Sequence, residues 1–219
     1  ENHAGAELII WYAEKPVYVR AVKALTNELF GVSAKLLPGK TGRLSAEWEL
    51  IIERQPDLLV ALGNFSDLMD LLKASPNINF PVFTGHALAD SRLPKWLNDS
   101  VSARVRVLTA YPLTVENDHP GNKLHLQVLN SYAPSMTASR WTLYGHAVAE
   151  LMVEVLRRSG RGLTRQKAIF AAENINNWQG KFLPPISLDS RNHLVLTSFR
   201  VSQILPGRVN HLSEWIDGR

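Results

Sequence analysis

The groups whose types could move protons or hold a metal are seven histidines and a few loop carboxylates. The histidines are His3, His86, His119, His125, His146, His193 and His211, and the carboxylates are Glu14, Asp57, Glu116 and Asp118. Their spacing supports neither use. Asp118, His119 and His125 lack the i, i+4 helical pairing with a further acid that a metal site would use, so solvated loop and helix positions are expected for the histidines. No G-x-S-x-G elbow, H-E-x-x-H helix or G-x-G-x-x-G turn occurs, and no two carboxylates are spaced for acid–base work. The turn PGKTG at 38–42 has the Gly and Lys of a phosphate loop but not its spacing. No catalytic residue, cofactor or metal is therefore expected. With no cysteine, thiol catalysis, disulfides and Cys-based zinc sites are excluded. That composition suits periplasm and cytoplasm alike.

The remaining composition is that of a folded, water-facing protein. The chain has 219 residues, 45% of them apolar and 20% charged, enough for one large α/β domain or two small ones. The net charge of +4 is spread along the chain. Arg104, Arg106, Arg157, Arg158, Arg161 and Arg165 are its densest basic positions, without the interleaved aromatics of a nucleic-acid stacking surface. A solvated face is expected there, and no nucleic-acid partner. No apolar run approaches the roughly 18 residues of a membrane span. The start, ENHAGAE, lacks the basic region and apolar core of a signal peptide. Either the chain is cytoplasmic or its targeting segment lies elsewhere.

The elements that would position any site centre on residues 55–75, QPDLLVALGNFSDLMDLLKAS. Residues 57–62 are a near-continuous apolar run, as in a parallel strand covered on both faces. A loop at Gly63 and Asn64 follows. Then comes a helix with Leu68, Leu71 and Leu72 inward, Asp67, Asp70 and Lys73 outward, and Ser66 as a cap. A loop leaving such a strand for a helix N-terminus is where open α/β sheets hold ligands, though a plain βα unit has the same pattern. Upstream, residues 7–12 and 32–37 are strands, with helices up to Phe30, closed by Gly31, and from Ser45 to Arg54. Downstream, strands are expected at 81–84 and 104–111 around a short helix at 93–97. Strand and helix thus alternate, which argues for a parallel sheet flanked by helices. From Pro112 helices dominate: 123–132, the long 141–158, and 164–173 capped by Thr164. In the long helix Ala147, Leu151, Val155 and Leu156 form the core stripe. Pro184 and Pro185 exclude a central strand at 182–187, and 194–205 with 209–215 form a terminal hairpin around Pro206 and Gly207.

In this order the chain resembles the type I periplasmic binding proteins, the Leu/Ile/Val-binding family of ABC transporter receptors. The resemblance rests on IIWYAEKPVYVRAVKALTNELF, PDLLVALGNFSDLMDLLKAS and VFTGH, together with YGHAVAELMVEVLRRSGRGLTRQKAI and FLPPISLDSRNHLVLTSFRVSQIL. It implies Rossmann-like lobes joined by hinge strands, a small ligand gripped between them, a permease partner and a periplasmic location. Residues 1–110 look like the second lobe, 111–190 like the returning part of the first lobe, and 191–219 like the final crossing and closing strands. The family's long amino-terminal first-lobe segment has no counterpart here. The sheet against which helix 141–158 should pack is therefore not encoded. Exposed large side chains there would each forgo about 1.5–3 kcal/mol of burial. The missing segment, cleaved or separate, or a second copy of the chain is expected to cover them. A ligand-sensing domain of a signalling or transcription regulator is the alternative use of the same fold.

Carried over by position, the resemblance places ligand contacts on three loops. The first offers Tyr18, over the ligand or packed on its own loop. The second offers Asn64 as a hydrogen-bonding group and Phe65 as a wall, or an ordinary Gly-Asn turn. The third offers His86 and Ala87. Amino-acid receptors of the family carry an acid where Ala87 stands, and the next acid is Asp90. An ammonium buried without an anionic partner is costly, so a carboxylate, aromatic acid or neutral amide is expected in place of an α-amino acid. His86 equally suits a loop histidine bonded to backbone. Tyr144 and His146 are expected to pack near the hinge.

Overall fold

The computed structural model describes residues 7–29, 32–40, 44–90 and 92–217. Two compact units divide the chain: unit 1 is Glu1–Leu108 with Val201–Leu212, and unit 2 is Thr109–Arg200 with Ser213–Arg219.

Unit 1 alternates strand and helix: β1 (Leu8–Ala13), α1 (Pro16–Glu28), β2 (Ala34–Gly39), α2 (Leu44–Arg54), β3 (Leu58–Leu62), α3 (Phe65–Lys73), β4 (Val82–Thr84), α4 (Leu93–Trp96), α5 (Asp99–Arg104) and β5 (Val105–Thr109). The strands run in the order β2-β1-β3-β4-β5, and each neighbouring pair among them is parallel. This is the α/β, Rossmann-like sheet expected from the alternation. The hairpin β6 (Ser198–Leu205) and β7 (Arg208–His211) extends the same order beyond β5. Its turn needs Gly207, whose φ of 72° favours a residue without a Cβ.

The apolar run of β1 is explained by its place between β2 and β3, where Ile9, Ile10 and Trp11 are almost wholly buried. Leu68, Leu71 and Leu72 of α3 are buried as their spacing requires. The cap of α3 is Asn64 and not Ser66: Asn64 Oδ1 accepts the Asp67 N–H at 2.9 Å, and the Asp67 carboxylate accepts the Asn64 N–H at 3.1 Å. This reciprocal pair satisfies two orphan donors at once, which a cap at Ser66 would not. Helix α5 was not foreseen. It is one short stretch, started by Asn98, whose side chain accepts the Val101 N–H at 2.8 Å. Pro38 and Gly39 close β2 and are not part of a turn; a Cβ at Gly39 would collide with the Trp11 indole. Gly31 and positions 41 and 42 of the expected turn lie outside the described residues.

Unit 2 holds α6 (Pro120–Tyr132), α7 (Arg140–Ser159), α8 (Arg165–Glu173) and the short β8 (Ile216–Asp217). The expected last strand at 209–215 is instead two pieces: β7 stops at His211, and β8 pairs with the start of β6. Ser139 and Thr142 cap α7 reciprocally, and Gly160, at φ 70°, ends it. Thr164 caps α8 as expected. One apolar cluster joins Leu143 and Ala147 of α7 to Tyr111, Phe182 and Leu183. A second joins Val155 to Ala171, Ile175, Ile186 and Leu188. Leu156, expected in the core, is exposed, because Val155 takes the contact with α8. Trp141, Tyr144, Val148, Met152 and Leu156 recur at steps of three and four and all stand exposed, Trp141 at 68% and Met152 at 54%. Phe170 of α8 is 69% exposed. The α7 residues form an exposed apolar stripe at helical spacing along one face of that helix.

Candidate functional site

Strands β1, β3 and β4 are adjacent and parallel, so their carboxyl ends share one edge of the sheet. The register makes this concrete: Tyr12 lies opposite Leu62, and Ala61 opposite Thr84. The loops carrying Tyr18, the Asn64–Phe65 pair and the His86–Ala87 pair therefore leave the same edge side by side.

The first loop is tight. The Lys15 N–H donates to Ala13 O at 2.7 Å, Pro16 opens α1, and the half-buried Tyr18 donates its N–H to Lys15 O at 3.0 Å. Lys15 Nζ reaches across to both Asp67 oxygens at 2.7 and 2.9 Å, tying this loop to the first turn of α3. Burial pushes the Tyr18 hydroxyl pKa up, the Asp67 charge raises it further, and Lys15 opposes them. Tyr18 thus stays a neutral donor near the Lys15–Asp67 pair. In the second loop Asn64 spends its carbonyl oxygen on the cap, leaving its amide NH2 as the group it can present. The Phe65 ring packs edge-on against Trp96, with centroids 5.3 Å apart.

The third loop begins as a single 3-10 turn, His86–Leu88. His86 Nδ1 lies 3.3 Å from Leu108 O, a contact only the Nδ1–H form can donate. Ala87 is half-buried. The nearby acid is already committed: Asp90, 5% exposed, accepts from Arg92 Nε at 3.0 Å, a terminal Arg92 nitrogen at 2.9 Å and the Arg92 N–H at 2.9 Å. The Arg92 guanidinium in turn sits over the Trp96 ring at 4.8 Å.

The same edge carries a cavity of about 690 Å³ displaced toward β2. Its lining includes Trp11, Glu14, Lys15, Lys40, Asp67 and Lys73, and none of the five residues singled out above. Glu47 braces its floor from within: 5% exposed, it accepts the Trp11 indole N–H at 2.5 Å and the Lys40 N–H at 2.8 Å. Sequence reasoning missed this wall because Asp67 and Lys73 have the spacing of a solvated helix face. The size is that of a small-molecule site. Its acids Glu14, Asp67 and Asp70 and its amines Lys15, Lys40 and Lys73 give it charges of both signs with which to hold a solute.

In unit 2, His125 is not a solvated residue. It is 3% exposed, with Nε2 2.9 Å from Thr142 Oγ1 and Nδ1 3.1 Å from His146 Nδ1. Burial lowers the pKa of both rings; His146 depresses His125 further, while at His146 Glu150 opposes the shift and Lys181 adds to it. His146 also packs on Phe182, with ring centroids 4.5 Å apart, the packing role expected of it. Among the described residues no group of three or more His, Asp or Glu could hold a metal ion, and no helix is long and apolar enough to cross a membrane.

No protein-family profile matches the sequence, and no curated protein does. Solved structures do match. An ABC transporter permease from the Pseudomonas fluorescens group is similar at 18% identity and TM-score 0.81, over 97% of this chain and 57% of the other. A branched-chain amino acid ABC transporter from Thermus thermophilus with bound valine is similar at 16% identity and TM-score 0.78, over 98% and 61%. A fatty acid ABC transporter substrate-binding protein from Thermomonospora curvata is similar at 17% identity and TM-score 0.70, over 97% and 58%. The chain spans about three-fifths of the length of these neighbours. With its parallel βα sheet, its carboxyl-edge loops and this likeness over nearly its whole length, the chain has the fold of the type I periplasmic binding proteins, in part and not entire.

Proposed function

We propose that this chain is the greater part of a solute receptor of an ABC transporter, working outside the cytoplasm with a membrane permease. The observation that carries this is the edge itself: adjacent loops after β1, β3 and β4 present Tyr18, Asn64, Phe65, His86 and Ala87 beside one another, on a fold shared with transporter substrate-binding proteins. The mechanism is closure. A ligand held by this edge and by an opposing lobe favours the shut state by its differential affinity for it.

The ligand we favour is a carboxylate or a neutral amide. Ala87 carries no charge, and Asp90 is saturated by Arg92, so no third-loop anion is available for an ammonium. One structural neighbour is named as a fatty acid ABC transporter substrate-binding protein, which supports a carboxylate as the ligand class. The apolar stripe of α7 is, in this reading, covered by polypeptide that the longer neighbours possess and this chain does not span.

A thermal-shift panel of amides, aliphatic and aromatic acids, and Leu, Ile and Val tests the ligand class. At least one amide or acid raises the melting temperature, and His86→Ala abolishes that rise. A rise with valine that survives His86→Ala contradicts the reading.

A further inference from the structure

Among the described residues, the Nε–H of Arg200 in unit 2 meets no acceptor. Its guanidinium stacks on Trp215 at 4.3 Å, its Nε is buried without a hydrogen-bond partner, and among the described residues no carboxylate pairs with it. A guanidinium donates hydrogen bonds and accepts none, so leaving the buried Nε–H unpaired is costly unless something fills the site. Beside it lies a cavity of about 280 Å³, with Lys181, His119, Phe182, Pro184 and Trp215 also in its lining. No Asp or Glu lines this cavity among the described residues. Glu150, which accepts the Lys181 N–H at 2.9 Å, lines a separate one. His119 is the N-cap of α6, its Nδ1 accepting the Gly121 N–H at 3.1 Å, so the positive end of a 13-residue helix also abuts the space.

We propose that this cavity is a binding site for a small organic carboxylate, separate from the sheet-edge loops of unit 1. The chemistry divides cleanly between walls. Arg200 matches a carboxylate with its planar fork of donors, and Lys181 supplies a second positive charge. Phe182, Pro184 and Trp215 offer apolar surface to the body of the ligand. The indole under Arg200 holds the guanidinium plane in place while leaving its N–H edge for an anion. One fork and one amine suit a singly charged carboxylate with an apolar body better than a phosphate dianion, which has no use for the aromatic wall.

The test is a titration of the 219-residue chain with benzoate at fixed ionic strength, read by tryptophan fluorescence and by melting temperature. Benzamide and inorganic phosphate are run beside it. Benzoate saturates, whereas benzamide and phosphate do not. Arg200→Met weakens benzoate by about tenfold or more, with a melting temperature at or above that of the parent, because the change deletes a buried unpaired donor. Lys181→Ala, at an exposed position, weakens it about threefold. His86→Ala leaves benzoate binding intact, so failure here is distinguishable from failure of the receptor reading. The proposal is overturned if benzoate does not saturate, if phosphate saturates in its place, or if Arg200→Met binds as the parent does. Should Arg200→Met not fold, unchanged affinity in Lys181→Ala overturns it.

Discussion

Asn64 shows what a single position can hide. Its type and its place after a glycine mark a turn that could present a side chain to a ligand, and that much was legible. Its bond to the Asp67 N–H was not, because Ser66 offers the same capping chemistry two residues later, and only the geometry of the turn chooses between them. The two are separable by mutation. Asn64→Ala should cost about 1 kcal/mol of unfolding free energy in denaturant melts, whereas Ser66→Ala should cost less than about 0.5 kcal/mol. Equal losses would return the cap to Ser66. Asp90 makes the complementary point: it was visible as the nearest acid to Ala87, but its saturation by Arg92 depends on a turn that brings i and i+2 together. His125 was misjudged as solvated because a histidine on an amphipathic helix does not say which side its helix buries.

At the scale of elements, strands and long helices were legible because their periodicity is strong, and short pieces were not. α5 and β8 have too few residues for a period to show, and the terminal hairpin was drawn too long for that reason. Helix α7 combines both lessons. Its extent was readable from the apolar periodicity and the glycine that ends it, and Ala147 and Val155 are buried as the stripe required, but the stripe's edge was not readable, so Leu156 was put inside and stands exposed. Replacing Trp141 and Met152 by Ser tests the exposed stripe. The change should move stability by less than about 0.5 kcal/mol per site and reduce self-association in light scattering. A collapse in stability would mean that the stripe is buried.

The contact between α6 and α7 predicts a pH response. The folded state holds His125 and His146 below the ordinary value of 6.5. Below that value the unfolded chain therefore binds more protons than the folded one. Their contribution is fully present above the unfolded value and is lost as pH falls through the lowered folded values. The melting temperature should drop between about pH 7 and about pH 5, and His146→Gln should flatten that drop. An unchanged slope would remove the pair from the account.

For the whole molecule, the class of fold was legible from the alternation of strand and helix, since few topologies accommodate it. The cavity beside β2 was not, because its walls come from loops and helix faces far apart in the chain that look solvated one at a time. The central claim is that the loops after β1, β3 and β4 form one jaw of a solute clamp. The most direct measurement is an amide proton–nitrogen NMR titration of this chain with the amide or acid whose thermal shift His86→Ala abolishes. A single jaw binds weakly, and NMR reads weak binding. The account predicts that shifts converge on the amides of Lys15 to Tyr18, Gly63 to Phe65 and Gly85 to Ala87, with a common saturation curve. Saturable shifts confined to other parts of the sheet, with those three loops silent, would contradict it.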